Sequence, residues 1–354
     1  MLRTVWLKLL IVLALLLPAA ALGHERPATS GLQSLPGRLV VLRASPHVSL
    51  TRVPPRFPPG RARVQTATIN VTYTGFSPAA QAAFQYAVDI WSGRISSSVP
   101  IEVRAVWKPL DTGVLGSAGP ATFFSGFPNA PAANTWYPVA LANKLAGEDL
   151  APGKEDIDAN FSSVFPNWYF GTDGNTPAGE YDFVTVVLHE LGHGLGFTGS
   201  MTVDSQGIGS WGDFGQGVPV RPLAYDRFGI NGNSELLIDT NLFANPSAGL
   251  AAQLTSQNLF FNGANAIAAN NNAPPQLYAP ASWEQGSSFS HLDEATYPAG
   301  DPNSLMTPQF DMGESNHDPG PITLGIFTDI GWTVGPPPVL SPQVYTPVAL
   351  LNAH

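Results

Sequence analysis

The 354-residue sequence contains no cysteine. This absence excludes disulfide bonds, thiolate zinc ligands and a cysteine nucleophile. Charged residues are also few, at 12% of the chain, and the net charge of −10 argues against nucleic acid or an anionic membrane as a partner. Beyond the first 23 residues no hydrophobic run is long enough to span a membrane. The mature chain is therefore expected to have no membrane span.

Glycine and proline are abundant, with 35 and 34 residues, and predict that much of the chain is loop and turn. The apolar fraction of 44% is too high for a disordered protein. A chain of this length can form one large domain or two subdomains with a sizeable core. Nothing in the composition indicates an oligomeric state.

The first 23 residues have the pattern of a secretory signal peptide. Arg3 and Lys8 supply the positive start, Leu9–Leu17 is apolar, and small residues follow at Ala19–Ala21. An uncleaved membrane anchor is the alternative, but the apolar run is shorter than the ~20 residues that a span requires. We therefore expect a secreted or extracellular protein, free or associated with the cell surface.

The most informative stretch is 181–197, YDFVTVVLHELGHGLGF, which contains the motif H-E-x-x-H. On a helix, His189 and His193 lie on one face, one turn apart, and can bind one Zn²⁺ at ~2.0–2.1 Å. Glu190, beside the first histidine, is placed to take a proton from a water next to the metal. The motif predicts a zinc centre with Glu190 as general base.

Three glycines at positions 192, 194 and 196 separate this motif from a chance match. Each costs about 1 kcal/mol in a helix relative to alanine, so a purely structural helix would gain nothing from them. A helix that ends abruptly beneath a metal would gain, because Gly196 can adopt the left-handed conformation that ends helices. The glycines therefore favour a metal site.

The motif, a distant histidine and a methionine segment together resemble the metzincin zinc endopeptidases, in particular the leishmanolysin family. The matching stretches are HELGHGLGF (189–197), Ser290-His291 and Leu305-Met306-Thr307-Pro308. The stretch ITLGIFTDIGW (322–332) is similar to the helix that closes that family's catalytic domain. The chain departs from the commonest metzincin pattern, which has a third histidine where Gly199 stands here. It also lacks the cysteines of the disulfide-rich members.

The resemblance implies an α+β fold with two lobes and a cleft between them. The upper lobe would hold a twisted mixed sheet plus helices, and the lower lobe would be loop-rich with a C-terminal helix. The implied site residues are zinc ligands at His189, His193 and His291, a general base at Glu190, and Met306 beneath the metal without bonding to it. The implied activity is zinc-dependent hydrolysis of polypeptides.

The predicted domain limits follow from the motif and the composition. Residues 1–23 are the signal peptide, 24–65 a propeptide or linker, 66–335 the zinc metallopeptidase catalytic domain, and 336–354 a Pro-rich C-terminal tail. If residues 24–65 confer latency, they must do so without the cysteine that some families place on the zinc.

A strand–helix–strand order begins the predicted domain. Residues 67–74 alternate as a strand, Ser77-Pro78 opens a helix that runs to about Trp91, and residues 101–107 alternate again. This order predicts parallel strands with the helix packed on one face. Residues 157–164 are predicted as a further strand, and as the edge strand with which an extended substrate would pair.

The third zinc ligand has several candidates. His24, His47 and His354 lie before the domain or at the end of the chain, which leaves His317 as the competitor of His291. Carboxylates also bind zinc, so the remaining candidates are Asp204 and Asp293 and, for a gluzincin-type site, Glu235, Glu284 and Glu294. A different alternative is an exported zinc-binding or adhesion protein without turnover.

A calcium site is a minor hypothesis for Thr172-Asp173-Gly174-Asn175, where oxygen-bearing side chains cluster. A solvated turn is the simpler interpretation of the same residues.

Overall fold

The structure is a computed structural model that describes residues 31–55 and 66–335. The predicted signal peptide (1–23) and Pro-rich tail (336–354) lie outside the described residues. Within those ranges, no helix combines the length and the apolar character needed to cross a membrane.

The described residues form a mixed α/β structure with six helices. The helices are α1 Pro78–Ser92, α2 Val139–Ala146, α3 Phe183–Leu195, α4 Ala248–Leu254, α5 Ala264–Ala269 and α6 Pro321–Ile330. The strands are β1 Gln33–Pro36, β2 Val40–Val48, β3 Arg52–Val53, β4 Ile69–Thr74, β5 Ile95–Ser96, β6 Ile101–Lys108, β7 Val114–Pro120, β8 Thr122–Ser125, β9 Tyr137–Pro138, β10 Ile157–Ser162, β11 Trp168–Tyr169, β12 Tyr181–Asp182, β13 Thr202–Val203, β14 Gly209–Ser210, β15 Gly229–Asn231, β16 Leu259–Phe261, β17 Gln276–Leu277, β18 Gln309–Met312, β19 Ser315–Asn316 and β20 Thr333–Val334.

The largest sheet has six strands in the order β18-β2-β7-β10-β6-β4. Strands β4, β6 and β10 are parallel neighbours, and β2 and β18 are also parallel to each other. Strand β7 is antiparallel to both of its neighbours, β10 and β2. The sheet is therefore mixed, as predicted, with β7 as the reversed strand. The two-lobed arrangement stays a prediction.

Helix α1 confirms the strand–helix–strand prediction. The Ser77 side chain accepts a hydrogen bond from the Ala80 amide, Pro78 occupies the first turn, and Gly93 follows the last helical residue. The buried face of α1 packs against α3, and the indole of Trp91 donates to the Leu188 carbonyl at 3.0 Å. This contact connects α3, the helix that carries the motif, to α1.

The prediction that residues 157–164 form an edge strand is wrong. Strand β10 pairs with β6 on one side and with β7 on the other, so it lies inside the sheet. The error arises from β7, whose sequence VLGSAGP is too rich in glycine to be recognised as a strand. Those glycines permit close packing instead: a Cβ on Gly116 would fall 2.7 Å from Oε1 of Glu190.

The segment predicted as a propeptide or linker belongs partly to this sheet. Its described part, residues 31–55, contributes β1, β2 and β3, and β2 lies between β7 and β18. Short pairings of β1 with β8 and of β3 with β19 hold it on both sides of β2. The domain limits stay predictions.

The long segment after α3 contains more structure than its weak periodicity predicts. Helices α4 and α5 and strands β13–β17 lie within it. The fully buried carboxylate of Asp226 accepts hydrogen bonds from the amides of Ser200, at 2.8 Å, and Leu223, at 2.7 Å. This carboxylate therefore ties the chain leaving α3 to the turn at residues 223–228.

Candidate metal centre

Helix α3 carries the motif, and both of its ends are defined by specific contacts. At its start the Asp182 side chain accepts a hydrogen bond from the Thr185 amide at 2.9 Å. At its end Gly196 has a φ of 122°, and its amide bonds back to the carbonyls of Gly192 and His193. The predicted helix stop at Gly196 is confirmed, because a side chain there would be strained.

Three histidines converge at the end of this helix. The Nε2 atom of His193 lies 2.9 Å from Nε2 of His189 and 3.2 Å from Nε2 of His291. His291 and His189 are also 3.2 Å apart at Nε2. Three nitrogens around a tetrahedral zinc at ~2.0–2.1 Å would be about 3.3 Å apart. The cluster therefore has the size of a three-histidine metal site with one position left open.

Each histidine is oriented by a backbone carbonyl. The Nδ1 atom of His189 lies 2.6 Å from the Leu305 carbonyl oxygen. The corresponding partners are Phe197 for His193, at 2.6 Å, and Ser287 for His291, at 2.8 Å. A proton on Nδ1 that donates to a carbonyl leaves the lone pair on Nε2, which is the tautomer that a metal requires.

Burial keeps these histidines neutral. All three side chains are at most 1% exposed. Burial lowers the pKa of His189 to about 4. Burial and, next, the neighbouring histidines lower the pKa values of His193 and His291 well below the ordinary value. Metal ligands must be neutral imidazoles, so this site suits a cation at neutral pH.

Glu190 is also fully buried, one residue after His189. Burial raises the pKa of its carboxyl well above the ordinary value, and the nearby amides of Leu42 and Ala118 act in the opposite direction. These amides favour the carboxylate electrostatically, but neither Glu190 oxygen has a partner of good hydrogen-bond geometry among the described residues. A carboxyl so placed can exchange a proton with a molecule beside the histidines.

Met306 packs against the motif helix. A Cβ on Gly192 would lie 2.8 Å from the Met306 sulfur, so Gly192 gives this side chain its space. Gly194 is similar, since a Cβ there would lie 2.3 Å from Cγ2 of Ile157. Gly192 and Gly194 therefore serve close packing, while Gly196 alone provides the expected change of chain direction. That Met306 lies beneath a metal stays a prediction.

The competing histidine lies elsewhere. His317 is buried, and its Nε2 atom is 2.7 Å from a carboxylate oxygen of Asp182, at the start of α3. Among residues 31–55 and 66–335, the three clustered histidines are the only group of three or more His, Asp or Glu side chains that could hold a metal ion. The alternative ligands Asp204, Asp293, Glu235, Glu284 and Glu294 do not join that group.

The proposed calcium loop is organised by hydrogen bonds. The Asp173 carboxylate accepts the Tyr169 hydroxyl at 2.6 Å and the Asn175 amide at 3.0 Å. Arg52 donates to the Asn175 side chain at 2.8 Å, which brings a positive charge to the loop. These contacts fit the interpretation as a turn, and calcium binding stays a prediction.

Sequence reasoning missed the contribution of β2 and β7 to this site. Leu42 and Gly116 are paired across the two strands and lie against Glu190. The close approach of Gly116 could have been suspected from the glycines of residues 113–119. The carbonyls that orient the histidines had no sequence signal, because every residue has a carbonyl.

Comparisons of this chain with protein-family models, with curated proteins and with solved structures found no match. The metzincin family therefore has no support from relatives. The buried cluster of His189, His193 and His291 is consistent with a zinc site of the H-E-x-x-H type.

Proposed function

We propose that this protein is a zinc-dependent endopeptidase. The observation that carries the proposal is the convergence of three buried, neutral imidazole nitrogens beside Glu190, a buried carboxyl that is not part of the cluster. Three nitrogen ligands with an open fourth position are the usual arrangement of catalytic zinc. The resemblance to leishmanolysin-like metzincins supports polypeptides as the substrate class.

His189, His193 and His291 would hold the metal through Nε2, and their carbonyl partners would keep the rings in place. Zinc at this position would supply Lewis-acid polarisation of the attacking water and of the scissile carbonyl. Glu190 would accept the proton of the attacking water and then donate it to the departing amine. The low dielectric around the buried Glu190 would strengthen the electrostatic interactions of its carboxyl with the water and the amine, because such a medium screens charge poorly.

Met306 would support the site from below through its contact with Gly192, without contacting the metal. Residues 1–23 would direct export, so the proposed protein acts outside the cell.

One observation favours a second candidate, an exported zinc-binding protein without turnover. Glu190 and the three histidines are at most 1% exposed, as expected for a structural metal site. A structural site, however, has no need for a buried carboxyl beside the histidines, and burying such a group is costly. We therefore prefer the enzyme.

Replacement of Glu190 by glutamine separates these two functions. The Glu190→Gln chain should bind one zinc per molecule as the unmodified chain does, because Glu190 is not a ligand. Hydrolysis of casein should fall by roughly 10²–10⁴-fold, the usual contribution of a general base. Glu235→Gln is the matched control, because Glu235 lies outside the histidine cluster. Casein hydrolysis unchanged in Glu190→Gln would refute the role of Glu190.

A further inference from the structure

Phe289 has a backbone conformation that large side chains rarely adopt. Its φ is 68°, in the left-handed region, where a residue with a bulky side chain is an outlier. The side chain is 1% exposed, and His291, one of the three clustered histidines, follows two residues later. Strained residues persist only where their surroundings hold them, and they are concentrated at functional sites. The contacts of Phe289 therefore bear on the metal centre.

Two glycines make room for the Phe289 ring. A Cβ on Gly199 would lie 2.4 Å from Cδ1 of Phe289, and a Cβ on Gly229 would lie 2.7 Å from its Cζ. Neither glycine has a positive φ, so what these positions require is space. The ring also packs edge-on against Tyr225, with the two ring centroids 5.6 Å apart. Gly199, Gly229 and Tyr225 thus form a slot for the ring, which we call the ring slot.

Hydrogen bonds on both sides of Phe289 hold the same turn. The Phe289 amide donates to the Tyr278 carbonyl at 2.7 Å, and the Tyr278 amide donates to the His291 carbonyl at 2.9 Å. Between them, the Ser290 hydroxyl accepts a hydrogen bond from the Gly199 amide at 3.1 Å. Gly199 therefore contacts the turn twice, through the space that it leaves for the ring and through its amide.

The ring slot connects the third histidine to the helix that carries the other two. Gly199 lies in the chain that leaves α3. The fully buried Asp226 carboxylate accepts a hydrogen bond from the next amide, that of Ser200, at 2.8 Å. The slot is therefore fixed relative to α3. A turn held in this slot gives the imidazole of His291 one position relative to the two histidines of the helix.

We propose that Phe289 is a positioning residue for the third ligand of the metal centre. With its ring in the slot, the turn before His291 forms whether or not a metal is bound, so His291 joins the other two histidines without rearrangement. A preformed site binds its ligand more tightly, because binding does not have to order the chain. This inference rests on the metal centre of the proposed function and not on peptide hydrolysis.

The test measures zinc affinity and stability separately. Phe289→Ala removes the ring, and Gly199→Ala puts a methyl group into the space that the ring occupies. Phe123→Ala is the matched control, because Phe123 is 0% exposed in a hydrophobic cluster that contains no residue of the centre. For each full-length chain, competition with a chelator gives the Kd for zinc, and urea unfolding of the metal-free chain gives the stability.

We expect the Kd for zinc to rise roughly 10–100-fold in Phe289→Ala and in Gly199→Ala, the usual effect of losing a group that orients a metal ligand. Phe123→Ala should lose stability, as the removal of a buried ring does, but should bind zinc like the unmodified chain. In the double variant of Phe289→Ala and Gly199→Ala, the added methyl group meets no ring. Its Kd should therefore be no higher than that of Phe289→Ala.

A role in packing alone predicts that Phe289→Ala loses stability but keeps the Kd of the unmodified chain. That result would overturn the inference, and casein hydrolysis by the unmodified chain would still support the peptidase. Conversely, the expected changes in Kd without hydrolysis by any chain would support the inference and overturn only the peptidase proposal. If Phe289→Ala does not fold, the Kd of Gly199→Ala decides in the same way.

Hydrogen exchange of the unmodified chain tests the same turn without a mutation. The Phe289 amide should be protected from exchange in the chelator-treated chain as well as in the zinc-loaded chain, because the ring slot and not the metal holds the turn. Protection that develops only after zinc is added would show that the metal orders the turn, and it would overturn the role of Phe289.

Discussion

The Nε2 atom of His317 lies 2.7 Å from a carboxylate oxygen of Asp182, and neither side chain is exposed. The same carboxylate caps the start of α3 through the Thr185 amide. His317 therefore supports the beginning of the helix, whereas His291 reaches the two histidines near its end. The two candidates for a third ligand thus contact opposite ends of helix α3. Mutating them should therefore have different effects on zinc binding and on stability.

Replacing each of these histidines by alanine tests that difference. His291→Ala should lose stoichiometric zinc, because two imidazoles remain where three converge. His317→Ala should still bind zinc but should lose roughly 1–3 kcal/mol of stability, because the buried Asp182 carboxylate loses one of its hydrogen-bond partners. The measurements are zinc content after dialysis and urea unfolding of both variants. Zinc loss in His317→Ala, with retention in His291→Ala, would reverse the assignment.

The metal-free chain should lose stability as the pH falls below about 6.5, the value of an unfolded histidine. Burial lowers the pKa of His189 to about 4 in the folded chain. Between these values the unfolded chain binds a proton that the folded chain does not. The stabilisation from neutral His189 is thus complete above the unfolded value and is lost as the pH falls towards about 4. The difference between the unfolded and the folded pKa of His189 corresponds to roughly 3 kcal/mol in the free energy of unfolding.

Buried carboxyls act in the opposite direction, so this measurement needs a variant for comparison. Burial raises the pKa of Asp156 to about 7 and that of Glu314 to about 8. Each of these groups makes the folded chain less stable as the pH rises from about 4, the unfolded pKa of a carboxyl, towards its folded pKa. The Tm of the chelator-treated protein from pH 8 to pH 4.5 should therefore fall more steeply in the unmodified chain than in His189→Gln. Equal slopes would contradict the lowered pKa of His189.

Gly194 should resist substitution for reasons of packing. A Cβ at this position would lie 2.3 Å from Cγ2 of Ile157, so Gly194→Ala should cost about 1–3 kcal/mol of stability, as overpacking does. Ile157→Ala removes the colliding atoms and, on its own, leaves a cavity. The double variant should therefore be more stable than the sum of the two single effects predicts. If the two single losses of stability add up to that of the double variant in urea unfolding, Gly194 and Ile157 are not in contact.

Met306→Leu should destabilise the chain by less than about 1.5 kcal/mol, because the two side chains have similar volumes. The Met306 sulfur faces Gly192, between the two motif histidines, so the exchange should leave zinc stoichiometry unchanged. A leucine that removes zinc while the chain stays folded would show that the sulfur itself binds the metal. Zinc content and Tm, measured on the same preparation, distinguish a Met306 that only packs against the helix from one that binds the metal.

Local patterns accounted for the elements that are defined by neighbours in sequence. The spacing of His189 and His193 places them on one face of any α-helix, and Ser77-Pro78 marks a helix start whatever surrounds it. Gly196 likewise ends α3 because its backbone conformation is one that other residues avoid. In each case the physical cause lies within one or two turns of chain, so the sequence alone was sufficient.

Contacts between distant segments were decided only by the tertiary structure. His291 contacts His193 across 98 residues of sequence, and only its place in the leishmanolysin-like pattern favoured it over His317 before the structure brought the two histidines together. The glycine-rich strand β7 and the N-terminal strand β2 join one sheet beside Glu190, although neither has a local pattern that places it there. Their positions depend on which surfaces pack together, and that choice minimises the free energy of the whole chain, not of any one segment.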